Sequence, residues 1–498
     1  MSPASAQQQR PHAPPAPDRR AALLAVALKI AFVIVAVWSV ALWWKAVDWA
    51  FRPHMFFIAD EINYLDWALK VPYWRILHLW PERIYNDRPL GFALERFLFE
   101  QFGFDYARNA AWFLVLHFSN CLMGLWVFRK MGVRWMPALA WIGVWASLST
   151  TAITATFLGA VFDVLCTFFL LASLLAFMGA RRWHWYLSAV LYLLALRSKE
   201  FGIVIPVLLT LYLAARRPPG GTWREFAAEC VRRLWPQYLI LIVFGLRYVA
   251  LAPQMAVLMP AGSDYHVAFS PGGFVKALVY YTGLVFGVES TMPARAVTLA
   301  LVGIGLAALR RRNGNALVCL AAYGLTLLPV LLLPNIRSPY YLYGPQMFLL
   351  LAVCLTVEDI RLSIPSAPWS RAVAGVFIAL LLLGGVTAFR RSHYFRDRVH
   401  FYWMAREASQ RSANDLQALR LPLRPGAHLY IDSGAEIPWL FNEGPCRYLQ
   451  ILRRDESLEC VIRKPADEMR KLYQLDAAPE KYWLDYSPNG ALQLRDLR

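Results

Sequence analysis

Apolar residues run in long blocks along this chain, separated by short charged stretches, and many of the blocks are long enough, or nearly so, to cross a bilayer. The first block, 21–44, is too long for a signal-peptide core and lacks a small-residue cleavage site, so it reads as a retained transmembrane helix. Further blocks lie at 110–128, 136–149, 157–179, 185–197, 201–215, 234–252, 293–309, 315–333, 340–357 and 371–389. They predict a polytopic α-helical membrane protein of about 11 transmembrane helices, since about 20 helical residues span the hydrocarbon core.

The basic residues orient these blocks. Arg129/Lys130/Arg134, Arg181/Arg182, Arg216/Arg217 through Arg232/Arg233, Arg310/Arg311/Arg312 and the Arg361 to Arg371 segment fall on alternate connections. The opposite connection at 149–156 has no Lys or Arg, and 334–339 has only Arg337. By the positive-inside rule the N-terminus is cytoplasmic and the C-terminus lies outside. The apolar run from Phe274 to Gly287 does not fit as a span, because it would throw the Arg310 cluster outside. It is expected as an interfacial or re-entrant helix on the outer face, with Glu289 on the same side as Asp60.

Three parts follow from this pattern. Residues 1–20, rich in Pro, Ala and Gln, are expected to be a disordered cytoplasmic N-terminus. Residues 21–389 form the membrane domain, with 45–108 as its first outer loop, amphipathic and lying on the membrane surface. Residues 390–498 are expected to form a small soluble α/β domain outside the membrane. There the apolar residues shrink to short alternating runs such as His428–Asp432 and Arg447–Leu452, and Asn489-Gly490 signals a type I′ hairpin between 481–486 and 491–494. Cys446 and Cys460 share that oxidising space, which leaves both a disulfide and two free thiols open.

Composition agrees with the class: 58% of the 498 residues are hydrophobic, 20 are Trp, and the mean hydropathy is +0.39. The formal charge of +18 comes from clusters between apolar runs, where cytoplasmic loops carry them, and so argues for no nucleic-acid partner. Seven cysteines without CxxC spacing indicate neither a zinc site nor a disulfide framework.

Candidate chemistry gathers on the outer side. The stretch 60–91, DEINYLDWALKVPYWRILHLWPERIYNDRPLG, opens on Asp60 and Glu61 and closes on Asp87, Arg88 and Pro89. Between them lie Tyr64, Trp67, Trp74, Trp80 and Tyr85, rings that favour the headgroup level. Two acids at a helix start also simply favour the helix dipole, so their company decides the reading. Arg197, Lys199 and Glu200 fall at an outer break in ALRSKEFGIVIP. A charge at bilayer depth costs about 2.5–3.5 kcal/mol even on lenient scales, so such clusters usually line a cavity; the plainer account is snorkelling with a local partner. Asp163 lies a turn or two inside a crossing and needs an inward partner or water. Arg337 stands at another outer mouth beside Tyr340, Tyr341 and Tyr343, where it is either a planar fork for phosphate or one snorkelling Arg in an aromatic belt.

Four motifs in order, DEINYLDWA, RPLGFALERFLFEQFGFDYARNAAWFLVLH, LALRSKEFGIVIPVLLTLY and RSPYYLYGPQMFLLLA, resemble the GT-C superfamily of membrane glycosyltransferases. The nearest likeness is to the protein O-mannosyltransferase branch and its bacterial relatives that modify lipid A or surface polymers, over about residues 20–360. The resemblance implies a polyprenyl-phosphate-linked sugar donor and an acceptor glycan, lipid or protein, with transfer on the periplasmic or lumenal face, often with inversion. It implies that Asp60 is the general base or acceptor-orienting carboxylate with Glu61 beside it. It also implies that Arg88, Lys199 and Arg337 hold the carrier phosphate. Asp87, Asp163, Glu200 and Tyr341 are counted with them in the substrate site.

No metal and no other cofactor is called for, although some relatives use a divalent metal. Two departures stand out: Ser149, Thr150, Thr151 and Ala152 occupy the place of a His/Glu-containing loop, and no tetratricopeptide repeats follow the membrane part. Membrane lipids are implied partners, and short loops with a compact terminal domain point to a bacterial inner membrane with its site facing the periplasm. The rival reading is a transporter or flippase for a lipid-linked or small polar substrate, which predicts Gly- or Pro-broken helices in matching halves; a third is an inactive scaffold.

Overall fold

Helices form where the apolar blocks lie, and their ends are set by the polar residues between blocks. The computed structural model describes residues 19–498 apart from 53–54, 79, 83–86, 219, 255–259, 261, 264, 287–290, 363–399, 435, 437, 443–445 and 496–498. Residues 1–18 of the expected disordered N-terminus, Tyr85, Glu289 and the 371–389 run lie outside the described residues. The first eleven α-helices are α1 (Arg19–Val47), α2 (Asp60–Lys70), α3 (Tyr73–Ile76), α4 (Pro89–Phe102), α5 (Tyr106–Lys130), α6 (Trp135–Ser147), α7 (Ser149–Thr154), α8 (Val161–Phe177), α9 (Arg182–Ser198), α10 (Ile205–Ala215) and α11 (Trp223–Leu251). They are followed by α12 (Pro271–Val285), α13 (Thr291–Arg310), α14 (Gly314–Leu331) and α15 (Pro345–Leu362).

Among the described residues, four helices are long and apolar enough to cross a membrane: Tyr106–Lys130, Leu158–Phe177, Trp223–Leu251 and Gly314–Leu331. The protein is an integral membrane protein by this measure.

Local rules account for several boundaries. Asp105 caps α5 by accepting from the Arg108 amide at 3.1 Å, and Arg129 and Lys130 close its other end against the helix dipole. α11 begins well before its apolar stretch, because Thr222 and Glu225 form a reciprocal capping box that draws the basic 224–233 segment into the helix. α12 has 15 residues, roughly 22 Å at 1.5 Å per residue, short of a bilayer core. The 149–152 segment is not an open loop: it lies within α7, where the Thr150 hydroxyl donates to Gln346 Oε1 at 2.7 Å in the interior.

The C-terminal part holds α16 (His400–Ala418), β1 (His428–Asp432), α17 (Arg447–Arg453), β2 (Glu459–Val461), α18 (Ala466–Leu475), β3 (Lys481–Tyr486) and β4 (Leu492–Arg495). The strands make one sheet in the order β2-β1-β3-β4. β1 runs parallel to both neighbours, with His428 opposite Glu459 and Leu429 opposite Tyr482, while β3 and β4 are antiparallel. Parallel pairing needs a crossover, and this explains why Arg447–Leu452, alternating in sequence, is the helix α17 and not a strand. The β3–β4 connection runs through 487–491, longer than a two-residue turn, and closes with the Ser487 amide on the Ala491 carbonyl at 3.0 Å. Gly490 sits there at φ +85°, and a Cβ would meet the Ala408 backbone at 2.3 Å, so only glycine fits. Cys446 and Cys460 form a disulfide with their Cα atoms 5.2 Å apart.

One hydrophobic core joins this sheet to the segment between α1 and α5 and to the start of α8. Phe56, Phe57, Ile62, Phe92 and Phe162 pack in the same cluster as Leu429, Ile431, Phe441, Tyr448 and Leu484. Tyr448 meets Phe56 and Phe104 edge-on, at 5.6 and 5.1 Å. The C-terminal sheet thus shares its core with the segment that carries Asp60.

Candidate functional site

The site is built where α2 and α4 meet the break between α9 and α10. Pro89 starts α4, a favoured first helical residue, which leaves Arg88 as its N-cap at the edge of the loop. Gly91 lets α4 come close to α8: a Cβ there would stand 2.3 Å from the Phe162 ring. The Phe162 ring supports Arg88, whose guanidinium lies 5.1 Å from the ring centroid, and Tyr64 and Phe92 pack edge-on to Phe162 at 5.2 Å each. Asp60 is the first residue of α2, half-buried, one turn before Tyr64 on the same side of the helix.

Three ion pairs line the break. Arg88 donates through Nε and Nη2 to Glu200 at 3.1 and 3.0 Å, a bidentate fork. Lys199 Nζ donates to Asp163 Oδ1 at 2.6 Å and also faces the rings of Phe201 and Tyr341 at 4.6 and 4.8 Å. Arg197 Nη2 donates to Asp87 Oδ1 at 2.9 Å, while Asp87 Oδ2 accepts the Glu82 amide at 2.9 Å. Arg197 is fully buried, and its Nε and Nη1 have no hydrogen-bond partner among the described residues.

Sequence neighbours therefore exchange partners: Asp87 pairs with Arg197, and Arg88 with Glu200. Arg88, Asp163, Lys199, Glu200 and Tyr341 come together. Arg337 lies on the exposed side, its guanidinium 5.2 Å over the Tyr280 ring.

Glu61, grouped with Asp60 on sequence grounds, is engaged from all sides instead. It accepts from Arg406 Nη1 and Nη2 at 2.7 and 2.8 Å and from the Ile58 and Leu158 amides at 3.0 Å each. Four donors on two oxygens fill its lone pairs, so it has no capacity left for substrate.

Arg406 had no signal in the sequence, since it sits in a polar helical stretch that reads as solvated surface. Glu95 is a second such residue. It is buried on α4 with Oε2 lacking a hydrogen-bond partner among the described residues, in a cavity of about 20 Å³ lined by Phe57, Glu61, Leu98, Asn109 and Leu158. Burial, then the neighbouring carboxylates Glu61 and Asp60, push its carboxyl well above the usual range. Its only foreshadowing is an acid on the apolar face of α4.

Among the described residues no group of three His, Cys, Asp or Glu side chains is arranged to hold a metal. Chemically, the constellation offers two cations, each held by one carboxylate that an anion can replace.

Two crystal structures of ArnT from Cupriavidus metallidurans are similar to this chain. The apo form is 15% identical over 94% of this chain and 93% of that one, with a TM-score of 0.48. The form bound to undecaprenyl phosphate is 14% identical over 94% of each chain, with a TM-score of 0.49. No family model matches the chain, and no curated protein matches it either.

Proposed function

We propose that this protein is a membrane glycosyltransferase that moves a sugar from a polyprenyl-phosphate carrier to a glycan, lipid or protein acceptor on the periplasmic face of a bacterial inner membrane. In this reading the chain crosses the membrane about 11 times, with the C-terminal domain outside. The observation that carries the reading is the pairing of Arg88 with Glu200 and of Lys199 with Asp163 at one break, with Tyr64, one turn after Asp60 on α2, packed on the Phe162 ring that supports Arg88.

The acceptor hydroxyl is a poor nucleophile. The Asp60 carboxylate takes its proton as the oxygen attacks the anomeric carbon; the bond from that carbon to the carrier phosphate breaks, and its electron pair leaves with the phosphate. The product is the glycosylated acceptor with inversion, polyprenyl phosphate, and a proton on Asp60 that passes to water.

Arg88 and Lys199 stabilise the charge growing on the phosphate, and do so more strongly in a water-poor site than in bulk. Glu200 holds the fork of Arg88 until the phosphate replaces it, because carboxylate and phosphate present the same bidentate geometry. Asp163 keeps Lys199 in place, and Tyr341 lies over its ammonium. Asp87, bound to Arg197, positions the loop that carries Arg88 and has no direct part in carrier binding. Arg337, on the exposed side, guides the anionic carrier towards the site. Glu61 is assigned a positioning role in place of a chemical one.

The test is a transfer assay in nanodiscs with a panel of undecaprenyl-phosphate-linked monosaccharides, comparing wild type with Asp60→Asn. Release or transfer of sugar by wild type, lost in a folded mutant, supports the reading. Translocation of an intact carrier across proteoliposomes with no bond cleaved sinks it in favour of a flippase.

A further inference from the structure

The structure assigns Arg406, on the C-terminal domain, as the positioning residue that sets the conformation of the turn carrying Asp60; the catalytic consequence rests on the glycosyl-transfer reading above. Ala59, immediately before Asp60, has φ +43° and ψ −119°, a left-handed conformation that strains a residue with a side chain. Such a residue persists only when its surroundings over-determine it.

Those surroundings are the Glu61 clamp. On the near side the Ile58 amide donates to Glu61 Oε2, so the carboxylate bridges across Ala59 and Asp60. On the far side the Leu158 amide fixes Oε1 against the turn before α8. Arg406 closes the clamp with both of its terminal nitrogens and also donates to the Phe56 carbonyl at 2.9 Å. Its guanidinium lies 4.4 Å from the Tyr106 ring centroid and 5.7 Å from that of Phe157, and the Tyr106 hydroxyl is itself anchored on the Thr156 carbonyl at 2.7 Å.

Side chains of both partners are about 1% exposed or less, so water does not compete for the pair. Arg447, next to the Cys446–Cys460 disulfide, holds Asp66 further along α2, so the same domain grips the helix twice.

Asp60 thus lies between a strained residue and a clamped one, and the clamp is closed by a guanidinium 345 positions from Glu61 in sequence. With Arg406 shortened to Lys the charge stays but the fork is lost. Ala59 then relaxes to negative φ, and the Asp60 carboxylate turns away from the acceptor. Arg88 and Lys199 are untouched, so carrier affinity stays.

The experiment uses the full chain in nanodiscs and two readouts. Hydrogen exchange at the Ile58 and Leu158 amides should speed up at least tenfold in Arg406→Lys, with residues 345–362 unchanged. In the transfer panel, kcat should fall about 100-fold while KM for the carrier stays within about twofold. That split places the loss in the transition state and not in ground-state binding.

Ala59→Gly is the decisive companion. Glycine adopts φ > 0 without strain, so adding it to Arg406→Lys should recover about tenfold in kcat. A strut that only supports the fold would show no such rescue. A rise in KM at unchanged kcat, unchanged exchange at Ile58 and Leu158, or a double variant no better than Arg406→Lys overturns the assignment.

If no carrier turns over with wild type, the glycosyl-transfer reading falls, and exchange alone decides whether Arg406 holds the 58–61 turn. If Arg406→Lys does not fold, the isosteric Glu61→Gln carries the same exchange test.

Discussion

Two bidentate arginine–carboxylate pairs hold the segment between α1 and α5, and they differ in what surrounds them. Arg406 and Glu61 are sealed inside the core shared by the loop and the C-terminal sheet, and every acceptor position of Glu61 is filled. Arg88 and Glu200 make the same fork, but about a third of the Glu200 side chain is open to solvent. The same chemistry therefore serves two ends. A closed pair fixes geometry, because breaking it strands a buried charge at a cost of about 3–5 kcal/mol. In the proposed function the open pair is exchangeable, because a phosphate takes the carboxylate's place and the carboxylate returns on its departure.

The largest break in this comparison comes from Asp60→Asn, at the residue next in sequence to Glu61 of the closed pair. It should lower kcat about 10²–10⁴-fold, the usual range for a general base, with thermal stability and hydrogen exchange of α2 unchanged. Next, Arg88→Lys removes the fork and keeps the charge; kcat/KM should fall about 100-fold, in line with the loss of a charge-assisted pair. On the same open side, Glu200→Gln should tighten binding of undecaprenyl phosphate, measured by calorimetry in nanodiscs. Weaker binding would show that Glu200 is no placeholder.

On the closed side, Cys446→Ser with Cys460→Ser removes a short cross-link and should cost about 2–3 kcal/mol, read as a lower Tm. Transfer by the protein that stays folded should persist.

The smallest effect is a pH dependence at Glu95. Its folded carboxyl titrates above its unfolded value, so the stability it contributes is complete below the ordinary carboxylate range and is lost as pH rises towards the raised value. Thermal unfolding between pH 5 and pH 9 should show this decline in wild type, and Glu95→Gln should flatten it. An unchanged slope would mean that Glu95 is already ionised.

How much of this was legible varies residue by residue. That Asp163 needs an inward partner follows from the cost of charge at bilayer depth, but only the fold names Lys199 as that partner. The pairings of Asp87 and Arg88 do not follow, since adjacent residues point differently and only the packing of α4 against α9 decides which meets Arg197 and which meets Glu200. Glu61 was visible as an acid beside Asp60, yet nothing local distinguishes an acid awaiting a substrate from one awaiting a buried guanidinium. The alternation at 447–452 suggested a strand, and the parallel pairing of β1 with β2 made it a crossover helix.

The sequence by itself determined where helices run, which segments are apolar enough for a membrane and which charged residues need partners, because these depend on local periodicity and transfer cost. Only the tertiary structure decided the partners. The Ala59 turn, the Glu61 clamp and the exchange between Asp87 and Arg88 depend on contacts between chain segments far apart, and local propensity carries no information about which distant side chain fills a buried site.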